Sequence, residues 1–323
     1  MASLPCSPEP DLPPHAVESL DGARRDPAPR FPAHGWAGLA LIAFGEICLF
    51  LRIEPFRSWF FILAWYGYIL FVDAAVFRLE GASLIRSRRK QFFAMLPLST
   101  LIWVVFEGFN VRLRNWEYQN LIEPIWLLLI GFAVAFATVL PGLFETADLL
   151  RALAARGRWR ILRWRMPPWR ISPRAEAVGA AVGLAFLLLP LIWPRCFFPL
   201  VWLGFVPILE PFNRRLGAPS LYADLARGDP RRVVFLLLGG FVCGGLWEFW
   251  NFWACSRWAY HIPFADFLRL FEMPLLGFFG FPPFTLECFA MYAFLLAVAP
   301  CQDSTIGAER APNQADQKTE LRS

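Results

Sequence analysis

Eight apolar runs, several near or beyond eighteen residues, constrain this chain more than any other feature. They fall at roughly 36–51, 58–78, 92–110, 125–147, 176–193, 197–212, 233–253 and 275–299, and runs of that length and character read as bilayer-spanning helices. Composition agrees: 57% of the 323 residues are hydrophobic and 18% charged, less charge than a soluble domain carries. The expectation is an all-α polytopic membrane helical bundle.

Charge around the runs sets an orientation. Arg78, Arg86, Arg88, Arg89 and Lys90 follow the second run. Arg151, Arg156, Arg158, Arg160, Arg163, Arg165, Arg170 and Arg174 follow the fourth, and Arg214, Arg215, Arg227, Arg231 and Arg232 the sixth. The alternate loops hold only Arg52, Arg57, Arg112, Arg114, Arg195, Arg257 and Arg269, a division of 18 against 7. Basic loops stay cytoplasmic, so both termini are expected there. The preference for Arg over Lys suggests a GC-rich bacterial genome, hence an inner-membrane protein. The net charge of +5 is absorbed by this topology, and no nucleic-acid partner is expected. The linker "RGRWRILRWRMPPWR" suits anionic membrane lipid, with Trp at headgroup level and Arg on phosphates.

Residues 1–34 hold eight prolines (Pro5, Pro8, Pro10, Pro13, Pro14, Pro27, Pro29 and Pro32) and read, like 301–323, as disordered. Between them the sequence divides into 35–150, a linker at 151–174, and 175–300. The second half repeats the first. "FFILAWYGYILFVD" (60–73) aligns without gaps on "FFPLVWLGFVPILE" (197–210), and Ser83 and Ser220 each follow the closing acid by ten residues. "FEGFNVRLRNWEY" (106–118) aligns on "WEFWNFWACSRWAY" (247–260), sharing E-x-x-N and W-x-Y. Glu145 and Glu287 each lie 27 residues past the tyrosine, with Pro141 and Pro283 four before them. Four spans per unit keep both copies in one orientation. The expected architecture is therefore two parallel four-helix repeats about an axis normal to the membrane.

The repeated polar residues are Asp73/Glu210, Glu107/Glu248, Asn110/Asn251 and Glu145/Glu287, with Glu46 unpaired. An acid at a span centre costs about 2.5–3.5 kcal/mol, so such residues face the interior and mark function. The i, i+3 spacing places Glu248 and Asn251 on one helix face. Span directions put Glu287 in the same half of the bilayer, so Glu248 and Glu287 are expected to share an outer chamber. Glu107, Asn110 and Glu145 would form a second. Asn251 would orient Glu248, and Asp73 and Glu210 would pair with Arg78 or Arg215. Trp247, Trp250, Trp258 and Tyr260, with Trp116 and Tyr118 opposite, would line the pocket. The glycines and prolines of "FEMPLLGFFGFPPF" (271–284) break regular helix beside a cavity or kink one.

A protonated carboxyl among aromatic faces suits protonation of an alkene and stabilisation of the resulting cation. The same residues suit a proton-coupled transporter, or a structural or assembly protein in which Glu, Asn and Trp join helices. The cysteines form no CxxC and the histidines no cluster, so no metal or cofactor is expected.

At Trp247-Glu248, Asn251, Trp258-x-Tyr260, Gly277/Gly280, Pro283, Glu287 and Phe289 the chain resembles the small membrane lycopene cyclases of bacteria and fungi. Glu107, Asn110, Trp116-x-Tyr118, Pro141 and Glu145 repeat the pattern. Here Glu replaces that family's Asp, and Cys288 stands where a second acid would follow Glu287. The resemblance implies metal-independent cyclisation of an isoprenoid-like lipid by protonation. The remainder is similar to other bacterial multi-pass membrane proteins.

Overall fold

The computed structural model describes residues 29–264 and 268–299. Almost all of both expected disordered tails lies outside these. Eight helical stretches are long and apolar enough to cross a membrane, at Ala33–Phe50, Phe60–Glu80, Arg89–Leu113, Ile125–Arg156, Pro173–Ile192, Pro194–Arg215, Arg231–Trp253 and Leu275–Val298. Four are inner: α2 (Phe60–Glu80), α6 (Val139–Arg156), α11 (Arg231–Trp253) and α12 (Phe281–Val298). In the stretches holding them 44–50% of residues are buried, against 22–28% in the other four. The outer set is α1 (Ala33–Phe50), α4 (Arg89–Leu113), α7 (Pro173–Ile192) and the stretch ending in α9 (Phe205–Arg215). Trp65, Phe106, Leu140, Leu143, Cys243, Phe284 and Cys288 form the core between the inner helices.

Lipid offers helices little hydrophobic reason to associate, so close backbone approach matters. α1 crosses α2 at Gly38 and Gly67. A methyl group on Gly67 would lie 2.7 Å from the Gly38 carbonyl oxygen. Gly183 of α7 meets Gly204 in the same way, a methyl on Gly204 lying 2.9 Å from the Gly183 oxygen.

Three apolar stretches are broken. Between α5 (Ile125–Phe136) and α6 the helix stops at Ala137–Thr138, inside what the sequence suggested was one span. Ser99 of α4 plugs the gap: its hydroxyl donates to the Phe136 carbonyl at 2.6 Å and accepts from Leu140 N–H at 3.0 Å. Irregular backbone at membrane depth needs such partners. α8 (Pro194–Phe197) and a 3-10 turn at Phe198–Trp202 precede α9, and another 3-10 turn at Leu275–Gly280 precedes α12. Pro282 lies in the first turn of α12, where its missing N–H costs nothing. The prolines therefore start a helix rather than kink one.

The all-α expectation needs one amendment. Both W-x-Y motifs are extended, as β1 (Trp116–Gln119) and β2 (Arg257–Tyr260), which form an antiparallel pair. A second small ribbon joins β3 (Arg269–Leu270) to β4 (Met273–Pro274). At the opposite end of the bundle lie the short helices α3 (Leu84–Ser87) and α10 (Leu221–Ala226) with the basic loops. There the Arg/Trp linker docks on the loop after α10, through Met166 N–H to Gly228 O and Trp169 N–H to Leu225 O, both 3.1 Å. Residues 151–156 of the expected linker belong to α6.

Candidate functional site

α4 and α11 each finish with E-x-x-N, and the asparagine fastens the strand that follows. Asn110 Nδ2 donates to the Trp116 carbonyl at 2.8 Å, while its Oδ1 accepts from Asn115 N–H at 2.9 Å and Trp116 N–H at 3.3 Å. Asn251 Nδ2 donates to the Trp258 carbonyl at 2.8 Å and its Oδ1 accepts from Trp258 N–H at 2.9 Å. This corrects the expectation that Asn251 orients Glu248. Its amide has the complementary donor and acceptor of a backbone unit, and it binds one.

One turn earlier on the same face sits each glutamate. Glu107 Oε1 accepts from Trp103 Nε1 at 2.8 Å, Trp116 Nε1 at 3.2 Å and the Tyr118 hydroxyl at 2.5 Å. Glu248 Oε1 accepts from the Tyr260 hydroxyl at 2.9 Å, and the Trp258 side chain also bonds this carboxyl. Burial first, then the adjacent carboxylate, pushes both tyrosine hydroxyls well above the usual phenol value, so they hold their protons. The strand register sets Trp116 opposite Tyr260 and Tyr118 opposite Trp258. The two acid-backed tyrosines thus face one space.

That space is a chamber of about 380 Å³, within the ~300–1,000 Å³ range of ligand pockets. Its wall draws on both halves in matching positions: Phe61 and Phe198, Trp116 and Trp258, Tyr118 and Tyr260. Trp103, Trp202, Trp247, Phe132, Phe136, Phe281 and Phe284 complete an aromatic lining. Of the pocket residues expected from sequence, Trp116, Tyr118, Trp247, Trp258 and Tyr260 line it. Trp250 does not: its ring packs against Trp65 at 5.3 Å and Tyr68 at 6.0 Å, and its side chain bonds Glu46. The repeat signalled Phe61/Phe198 and Trp202. Trp103 has Gly244 at the aligned position, so nothing in the repeat marked it.

The other acids correct the two-chamber expectation. Glu287 Oε1 accepts from Phe205 N–H at 2.8 Å, with Gly204 and Val206 N–H also donating to the carboxyl. It caps α9 from a neighbouring helix, accepting from N–H groups that have no partner within that helix. Neither Glu287 nor Glu248 is on the chamber wall. Glu145 meets no such helix start, because α2 runs unbroken past Tyr68. It is 1% exposed, has no nitrogen or hydroxyl partner among the described residues, and faces the Asp73 carboxyl.

Asp73 accepts from Ser83 Oγ at 2.9 Å and Ile85 N–H at 2.7 Å, and meets His34 Nε2 at 2.9 Å. Glu210 accepts from Ser220 Oγ at 2.7 Å and Tyr222 N–H at 3.0 Å. The expected pairing with Arg78 or Arg215 does not occur. Arg215 binds Glu176 at 2.8 Å instead, with Arg214 on its other oxygen. Each acid is short enough to reach the start of the next short helix, and a hydroxyl plus an N–H serve it there.

No family model matches the chain, and neither does any curated protein or solved structure compared with it.

Proposed function

We propose that this is a bacterial inner-membrane protein with both termini cytoplasmic. It is built of two parallel four-helix repeats, and it binds a terpenoid-like lipid in the chamber and converts it by acid catalysis. The repeat is supported by the ribbon. Exchanging Trp116 with Trp258 and Tyr118 with Tyr260 leaves the pairing of β1 and β2 unchanged, the behaviour of a two-fold axis.

The observation that carries the functional reading is an aromatic chamber into which two tyrosines project, each backed by a glutamate. Aromatic faces accommodate an apolar chain and stabilise a developing cation. A tyrosine hydroxyl delivers its proton to an alkene carbon while its glutamate, in protonated form, replaces that proton. The cation then closes or shifts, and loss of a proton returns the pair to its starting state. The reaction consumes no net proton and suits a cyclisation or isomerisation.

Lipid mass spectrometry on the purified protein is the test. Gly131 lines the chamber and a Cβ there meets nothing within 4 Å. Gly131→Leu is therefore expected to fill the space, preserve the fold and remove the bound lipid. Unchanged lipid content in that variant refutes the reading. Tyr118→Phe with Tyr260→Phe is expected to keep lipid and lose product.

A second reading is a proton-coupled transporter. It is favoured by the Asp73–Glu145 pair near the basic end, two buried carboxyls facing one another away from the chamber. It requires pH-gradient-driven lipid movement in proteoliposomes, abolished by Glu145→Gln.

A further inference from the structure

The two glutamate–tyrosine pairs differ in one respect that the repeat hides. Glu248 is fully buried, and its Oε2 has no partner. Glu107 is only half-buried and lines a second, open recess with Asn110, Arg114, Trp116, Glu117 and His261. Trp116 belongs to both recess and chamber, and Tyr118, on the chamber wall, donates to Glu107. Glu107 therefore stands in the partition, with water-facing residues on one side and a chamber hydroxyl on the other. Trp103, Trp116 and Tyr118 all donate to Oε1; Oε2 takes none of these bonds.

The recess mouth carries its own titratable pair. His261 Nε2 lies 3.1 Å from Glu117 Oε1, and both side chains are 57% exposed. His261 is held in place by its backbone N–H, which donates to Asn115 O at 2.7 Å. The hydrogen bond from His261 keeps the Glu117 carboxyl below its ordinary value, and the exposed imidazole and carboxylate together offer proton-accepting atoms at the mouth. Arg114 is the fixed cation of the recess.

We propose that Glu107, and not Glu248, is the residue through which the chamber exchanges protons with water. The path runs from the His261–Glu117 pair to Glu107 and on through the Tyr118 hydroxyl. A proton reaching Glu107 forms a carboxylic O–H that donates to Tyr118, reversing the present bond. The tyrosine's own proton then turns toward the chamber. Transfer breaks the tyrosine O–H bond and the ligand's π bond and forms a C–H bond on the ligand, while the Glu107 proton passes to the tyrosine oxygen and Glu107 is left ionised. Glu248 and Tyr260 are sealed from this path and hold the opposite wall. What the proton does in the chamber rests on the acid-catalysis reading; the route itself does not.

The test is time-resolved infrared difference spectroscopy on purified protein in lipid nanodiscs, after a pH step and after transfer to D2O. Wild type is expected to show a carboxyl C=O band that responds within the mixing time. Glu107→Gln removes that fast band and Glu248→Gln leaves it. His261→Ala slows its response several-fold at unchanged amplitude. Tyr118→Phe leaves the carboxyl band and removes the accompanying tyrosine ring signal. A fast band that survives Glu107→Gln, or one lost in Glu248→Gln, overturns the proposal. The Gly131→Leu lipid measurement judges the chamber reading separately, so either can fail alone.

Discussion

Asn110 and Asn251 each apply both ends of a carboxamide to the backbone of one tryptophan. Neither bond tolerates loss of the donor or the acceptor. Asn251→Asp keeps an acceptor for Trp258 N–H but presents a second oxygen to the Trp258 carbonyl. It should destabilise by about 1–3 kcal/mol, read as a lower unfolding midpoint in detergent. The same loss is expected for Asn110→Asp, while Asn110→Asp with Glu107 intact should leave the fast infrared band in place. Ser220 is also bifunctional. Its hydroxyl donates to Glu210 and accepts from Ala223 N–H as the N-cap of α10. Ser220→Ala removes a cap and a donor to a buried acid together, so the cost should exceed the ~1 kcal/mol typical of a cap alone.

At the scale of elements, helix starts decide where the acids rest. α9 begins afresh at Phe205, so its free N–H groups recruit Glu287 from α12. α2 has no start at that level, and Glu145 turns to Asp73 instead. Glu287→Gln keeps one acceptor oxygen for the α9 N–H groups but turns an amide NH2 toward the others, a loss of about 1–3 kcal/mol. It should therefore lower stability without changing any lipid conversion. α11 gains a different anchor. Asp229 accepts from the Arg231 side chain and backbone N–H, and chiefly that side-chain bond brings its carboxyl down from 3.8 to about 2. A lowered folded value means the contact stabilises above the ordinary carboxylate value and fails as pH falls toward about 2. Amide exchange at residues 231–234 should accelerate over that acid window in wild type. In Asp229→Asn it should be raised at all pH values with no such step.

For the whole molecule, the proposed orientation places the strand end outside the cell and the basic end inside. Cys196 is exposed in α8 at the strand end. A membrane-impermeant maleimide should label Cys196 in intact cells whose outer barrier is opened. Labelling of Cys196 only after inner-membrane lysis reverses the topology. Acting together, the crossings at Gly38/Gly67 and Gly183/Gly204 hold α1 against α2 and α7 against the stretch that ends in α9. Gly67→Leu and Gly204→Leu should each loosen one half, and the double variant should lose the chamber and its lipid.

The span count, the basic end, the paired acids and five aromatic residues of the chamber wall were legible in residue order. Apolar run length is set by bilayer thickness, and the matched motif spacings of the two halves are a property of residue order. The partners of those acids were not. Whether Glu287 meets a helix start or Glu145 meets Asp73 depends on a break in a neighbouring helix, and no pattern within 281–298 reports a break near 203. The strand pairing of W-x-Y joins distant residues, Trp116 with Tyr260 and Tyr118 with Trp258, and four-residue strands carry too little periodicity to declare themselves. Sequence alone determined that two Glu–Asn pairs close apolar runs long enough to cross a membrane. Only the tertiary structure decided that the asparagines clasp strands and the glutamates back tyrosines. It also decided that one glutamate opens to water and the other is sealed, because burial is a property of what packs on a residue from elsewhere.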